Sequence, residues 1–372
     1  MRRRLGVGGV LLGDQILAGD CKVDDEGRLD AVGLPAAAGG RLAVPGLVDL
    51  QVNGFDGVDV MEADAADLDA VGRSLLRFGV TAYLPTLITA PPDDTGTALD
   101  LLAQLVRTPR GRAARVLGVH LEGPFLSPAR MGTHPPIHRR DPDLDLLRSW
   151  CGRGPVVAVT LAPELPGALG LVRWLADRGI LVSLGHTDAS AEQAAAAFDA
   201  GARTVTHLWN AMSPLGPRAP GVPGAALSRP DVVVQMILDG YHLAPEVVQL
   251  SWAAARHRVV LVTDATAASA RPDGQYELAG VPLDVQGGAV RNPAGRLAGS
   301  ALTLDAAVRC AVHLGIPLVE ALLAATTAPA ALLGRMDVGT LVCGQARDLV
   351  VLDDGLQVLE VHLAHQAPAE VS

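Results

Sequence analysis

From Val44-Pro45-Gly46 onward the chain keeps one rhythm: a short apolar run of β character, then an Ala/Leu-rich stretch of good helix propensity. The strand candidates are Leu47–Val52, Thr81–Thr86, Val116–Leu121, Val156–Leu161, Ile180–Leu184, Thr204–His207, Val232–Leu238 and Val259–Thr263. Helices such as Ala191–Ala200 and Pro245–Arg256 are expected between them. Strands that alternate with helices call for a parallel sheet covered by helices, and eight such units predict a (β/α)8, TIM-like barrel. The pattern alone leaves a doubly wound sheet open. Residues 1–44 read differently, as short apolar pieces separated by Gly and by Asp24-Asp25-Glu26-Gly27. β-like text returns after Leu333-Gly334, in Leu349–Leu352 and Leu356–Val361. The expected organisation is a barrel of residues 45–336 and one small β-sandwich domain built from both chain ends, residues 1–44 and 337–372.

Composition narrows the chemistry. Hydrophobic residues make up 49% and charged residues 19% of the chain, enough for a large core and too apolar for general disorder. The net charge is −10 with no block of Lys/Arg, which argues against nucleic-acid and anionic-membrane partners. Lys22 is the only lysine, so Schiff-base chemistry, a P-loop and a lysine-bridged dinuclear metal centre are poor fits. Cys21, Cys151, Cys310 and Cys343 form no Cys-x-x-Cys and are expected as reduced thiols in a cytoplasmic protein. Arg2-Arg3-Arg4 followed by Leu5–Leu12 imitates a signal peptide, but the apolar stretch ends at Gly13-Asp14, so it reads as the first strand of a hairpin. Pro91-Pro92-Asp93-Asp94 reads as an ordinary loop.

The informative residues stand at the C-terminal ends of the predicted strands. They are Gln51 and Asn53, His120 and Glu122, His186, His207, His242 and Asp264. In a (β/α)8 barrel that rim builds the active site. One Glu and two His on successive strands, Glu122, His186 and His207, form a set that holds a zinc-like ion with an open position. Asp264 near a metal-bound water is suited to general-base work, its bland alternative being a helix N-cap. His134, in a loop after Glu122, could donate to a substrate oxyanion. Arg218 and His242 offer donors for an anion.

In this order the motifs resemble the N-acetylglucosamine-6-phosphate deacetylases of the metal-dependent amidohydrolase superfamily. The resemblance rests on Pro45-Gly46-Leu47-Val48-Asp49-Leu50-Gln51-Val52-Asn53-Gly54, His120-Leu121-Glu122-Gly123-Pro124-Phe125, Gly132-Thr133-His134, Leu161-Ala162-Pro163-Glu164, Gly185-His186-Thr187, Thr206–Met212, Asp239–His242, Val262–Thr266 and Leu297–Ser300. It implies an amidohydrolase-type barrel, one divalent metal ion, Zn2+ or Fe2+, on Glu122, His186 and His207, and Asp264 as the acid/base. It implies that Thr133 and His134 serve the amide end, that Asn210, Ala211, Arg218 and His242 contact sugar and phosphate, and that Leu297, Ala298 and Gly299 line the acetyl or sugar side. It also implies a homodimer in which one subunit lends a residue to its neighbour's phosphate site. Gln51-x-Asn53 stands where many amidohydrolases carry His-x-His, which favours one ion over two and gives these amides hydrogen-bonding roles toward the substrate.

The chain departs from the family at Ala219, Tyr241 and Pro135, all on the sugar or phosphate side. The alternatives are deacetylation of another N-acetyl-hexosamine phosphate such as N-acetylgalactosamine 6-phosphate, an amidohydrolase of cyclic amides, or a non-catalytic sugar-phosphate-binding barrel.

Overall fold

The computed structural model describes residues 3–36, 39–107 and 111–364; residues 365–372 of the expected C-terminal segment lie outside the described residues. Eight parallel strands form the barrel: β1 (Leu47–Val52), β2 (Val80–Ile88), β3 (Val119–Glu122), β4 (Val156–Leu161), β5 (Leu181–Leu184), β6 (Thr204–Val205), β7 (Val233–Met236) and β8 (Val259–Leu261). Each pairs with the next, and a bridge from Val52 to Ala265 returns the last strand to the first, which excludes the open doubly wound sheet. The strands are apolar on both faces because helices cover the outside and packed side chains fill the inside. Helix starts follow local chemistry: Asp64 and Ser190 each make a capping box at the heads of Ala65–Leu76 and Ala191–Asp199.

The barrel interior is not wholly apolar. His120, in β3, bonds Thr160 Oγ1 through Nε2 at 2.8 Å and the Leu50 carbonyl through Nδ1 at 3.3 Å. Thr160 meets Thr206 at 2.7 Å and Ser183 meets Thr206 at 2.5 Å. These hydroxyls pair with one another, so a hydrogen-bonded polar layer lies inside the barrel. Gly185 keeps this layer close: a Cβ there would lie 2.7 Å from Thr160 Cγ2 and 2.9 Å from Thr206 Cβ.

Both chain ends enter one five-stranded sheet in the order Val358–His362, Leu349–Leu352, Leu42–Pro45, Gly9–Leu12, Gln15–Ala18. Gly9–Leu12 and Gln15–Ala18 pair as an antiparallel hairpin, as the reading of the N-terminus expected. A second sheet of Arg3–Arg4, Asp20–Val23 and Leu29–Leu34 packs with it around Val7, Val10, Cys21, Leu29 and Val351.

Two features differ from the sequence reading. Residues from Pro92 do not form a loop; they open the helix Pro92–Arg107, with Pro at its head and Asp93 and Asp94 in the first turn. A three-stranded antiparallel insert, β9 (Gly274–Leu278), β10 (Val281–Gln286) and β11 (Ala289–Arg291), stands between β8 and the helix Leu304–His313. It is fastened to the rim where the Tyr241 hydroxyl donates to the Gly287 carbonyl, while the Gly288 N–H donates to Asp273 at 3.1 Å.

Candidate active site

The C-terminal rim encloses a cavity of about 380 Å3. Its lining includes Asn53, Glu122, Thr133, His134, His186, His207, Asn210, Ala211, His242, Asp264, Leu297, Ala298 and Gly299. Of the sequence-predicted residues, Gln51, His120 and Arg218 are not in that lining; His120 lies inside the barrel on Thr160 and Leu50. Gln51 is fully buried, and its amide donates to Asp264 Oδ1 at 3.0 Å instead of facing a ligand. Arg218 is exposed on the 214–220 loop, outside the cavity of its own chain.

Glu122 closes β3, and His186 and His207 each follow the end of their strand by two residues. Both histidines adopt left-handed backbone conformations, φ 48° and 31°, as does Asp264 at φ 52°. Such a conformation costs a non-glycine residue about 1 kcal/mol or more, and here it turns each side chain from the strand into the mouth. Glu164 braces the turn after His186 by accepting the Thr187 hydroxyl at 2.5 Å and the Asp188 N–H at 2.7 Å.

The three ligand atoms converge. Glu122 Oε1 lies 3.2 Å from His186 Nε2 and 3.1 Å from His207 Nε2, and the two Nε2 atoms are 3.2 Å apart. This is the spacing that neighbouring ligands keep on one ion held at about 2.0–2.2 Å. His186 Nδ1 bonds the Arg130 carbonyl at 2.9 Å, so its Nε2 lone pair faces the cluster. The residues present therefore fit a metal ion. Burial acts to raise the Glu122 carboxyl, but hydrogen bonds from His186 and His207 outweigh it and hold Glu122 well below the usual range.

Asp264 borders this cluster and caps no helix. Asn53 Nδ2, at 2.7 Å, joins Gln51 on the same oxygen, Oδ1, leaving Oδ2 without a donor among the described residues. Burial first, and the Glu122 charge second, push the Asp264 carboxyl up to about 6. His134 packs edge-on to His186, with ring centroids 4.3 Å apart. Burial, then His186, push the His134 imidazole down to about 3, so it is neutral.

His242 Nδ1 bonds Asp239 at 2.7 Å, which fixes the ring in the cavity lining. Burial acts to raise the Asp239 carboxyl, but the bond and charge of His242 together with the His242 and Tyr241 N–H groups outweigh it and hold the carboxyl below its ordinary value. Two arginines that sequence reasoning missed also line the cavity. Arg130 is committed to Asp188 at 2.7 Å, whereas Arg296 has no carboxylate partner among the described residues. Asn292 shapes the Arg296 turn by accepting the Ala294 and Arg296 N–H groups at 3.0 and 3.1 Å, and its amide donates to Thr133 Oγ1 at 3.4 Å. The period-two text Tyr276-x-Leu278 and Val281-x-Leu283-x-Val285 was the available signal for the insert that carries this turn.

The profile of the amidohydrolase family matches residues 42–370. An N-acetylgalactosamine-6-phosphate deacetylase of Escherichia coli O157:H7 is 41% identical over 332 residues, 88% of this chain and 87% of that protein. An N-acetylglucosamine-6-phosphate deacetylase of Vibrio furnissii is 37% identical over 322 residues, 85% of this chain and 80% of that protein. The structure of an aspartate-to-alanine mutant of N-acetyl-D-glucosamine-6-phosphate deacetylase from Mycobacterium smegmatis, in complex with N-acetyl-D-glucosamine-6-phosphate, superposes with a TM-score of 0.90 at 34% identity, over 98% of each chain.

Proposed function

This chain belongs to the amidohydrolase family, and on that footing we propose that it hydrolyses the acetamide of N-acetyl-D-glucosamine 6-phosphate to D-glucosamine 6-phosphate and acetate. The observation that carries this reading is the meeting of Glu122, His186, His207, His134 and Asp264 at one cavity, in a chain so similar to deacetylases of that name.

Glu122, His186 and His207 would hold one divalent ion, zinc or ferrous iron, which supplies a Lewis acid that acidifies water and polarises a carbonyl. Asp264 is the proton carrier. Its free oxygen Oδ2 takes a proton from the attacking water, while Gln51 and Asn53 hold Oδ1 in place. The same carboxyl then returns the proton to the amide nitrogen, which cannot leave as an anion at neutral pH. His134 donates to the carbonyl oxygen as negative charge gathers there. Thr133 and the Leu297-Ala298-Gly299 segment flank this acetyl end, and Asn210 and Ala211 face the sugar. His242 and the uncommitted Arg296 supply donors for the phosphate. Arg218, exposed on its own chain, reaches such a cavity in a homodimer in which the 214–220 loop serves the partner subunit. The barrel of residues 45–336 carries the chemistry, with the end-built β domain beside it. Among the described residues no helix is long and apolar enough to cross a membrane, and four free cysteines support a reducing, cytoplasmic setting.

The test is acetate release from the phosphorylated gluco sugar, its unphosphorylated form and the galacto epimer, with metal assayed on the same sample. Release confined to the phosphorylated gluco sugar and abolished by a chelator is expected. Arg296→Ala should raise KM for the phosphorylated sugar about tenfold and leave the unphosphorylated one unchanged. The 41% identity to the E. coli protein favours one second reading, the galacto epimer; faster release from that sugar would establish it.

A further inference from the structure

We propose that the main-chain N–H of Thr89 fixes the tautomer of His134, making Thr89 a positioning residue for the reaction. Thr89 directly follows the last residue of β2 and is 2% exposed. Its N–H lies 3.2 Å from His134 Nδ1, and its hydroxyl lies 3.0 Å from the same nitrogen. An amide N–H can only donate, so the ring nitrogen facing it carries a lone pair and the ring proton sits on Nε2. The hydroxyl can play either part and adapts to the amide. The hydroxyl proton is shared between Nδ1 and the Glu122 carbonyl, 3.4 Å away, so the side chain holds the ring in place while the amide sets its tautomer.

The opposite tautomer would set two N–H groups against each other across 3.2 Å in a buried site. Nε2–H therefore faces the cluster, where the nearest acid oxygen, Glu122 Oε2, is 3.8 Å away and beyond hydrogen-bond reach. That donor is kept for a ligand. The approach depends on Gly123, since a Cβ there would run into the Thr89 hydroxyl.

The kinetic consequence rests on the function proposed above; the tautomer itself does not. Nitrogen NMR of the metal-loaded protein, with His134 identified by loss of its signals in His134→Ala, should show a bare Nδ1 and a protonated Nε2. It should also show coupling through the hydrogen bond between the Thr89 amide nitrogen and His134 Nδ1. A protonated Nδ1 overturns the proposal. Thr89→Val keeps the amide but loses the hydroxyl beside the ring. It should retain the tautomer and lower kcat about tenfold with KM within about twofold, and Thr89→Ser should restore kcat. A loss shared equally by Val and Ser, or confined to KM, overturns the positioning role. A wild-type protein inactive on every acetamido sugar would sink the proposed function and leave the NMR result standing.

Discussion

Asp20 and Asp264 are both buried carboxylates, 1% and 8% exposed, yet the fold treats them in opposite ways. Asp20, in the end-built sheets, accepts the Val7 and Cys21 N–H groups at 3.0 and 2.8 Å and pairs with Arg4 at 2.8 Å. Burial opposes its ionisation, but these donors outweigh it and hold its carboxyl below the ordinary value. Asp264 has only neutral amides on one oxygen and Glu122 nearby, so burial and like charge prevail and its carboxyl is raised. One site spends its hydrogen bonds on keeping a charge; the other withholds them, so that a proton can come and go. Among the described residues, buried oxygens without partners, Gln51 Oε1 and Asn53 Oδ1, stand beside Asp264 and none beside Asp20.

The contrast can be broken at either end. Asp264→Asn should cut kcat by about a thousandfold or more, with metal content retained and stability at pH 8 unchanged or raised; acetate release, metal analysis and thermal melts check all three. Asp20→Ala should do the reverse. It leaves two buried N–H groups unpaired and costs about 3 kcal/mol by denaturant unfolding, with kinetics intact. Because the folded value of Asp20 is depressed, its contribution is present above the unfolded carboxylate value of about 3.9 and is lost as pH falls through the folded one.

Asp49, fully buried below the rim, sharpens the comparison. It accepts Thr263 Oγ1–H at 2.6 Å and the Gln51 N–H at 3.2 Å, yet burial pushes its carboxyl up to about 7. A raised carboxyl favours the folded state most below the unfolded value, and that advantage is lost as pH rises through about 7. Asp49→Asn should therefore match wild type near pH 4 and gain about 4 kcal/mol at pH 8. A constant difference across pH would show that hydrogen bonding, not ionisation, governs this site.

The parts of the site legible in the sequence are those whose residue type is rare at a strand end. Glu122, His186, His207 and Asp264 interrupt apolar runs, and no packing need explains them there. Thr89 stands at an equivalent position, but threonine is at home in strands, so its side chain gave no signal and its active group is a main-chain amide that every residue but proline carries. Arg296 carries no signal of its own, since its place at the cavity depends on a turn beside an insert that only a short period-two alternation marks. Arg218 shows the converse, a residue chosen for its chemistry that the fold leaves exposed on its own chain. The left-handed turns at His186, His207 and Asp264 were invisible, since nothing in a His or Asp announces a positive φ. For the fold, strand positions followed apolarity well. The head of Pro92–Arg107 was misread because proline and acids mark both loops and helix starts.

The strand Leu42–Pro45 is held on one side by Gly9–Leu12 and on the other by Leu349–Leu352, and it runs straight into β1. During synthesis its second neighbour arrives only after some three hundred further residues have been added. Until then the strand presents a bare hydrogen-bonding edge. A chain interrupted before Leu349 keeps that edge for good, however complete its cavity. Leu349–Leu352 thus acts as a seal on an edge that everything before it in the chain leaves open.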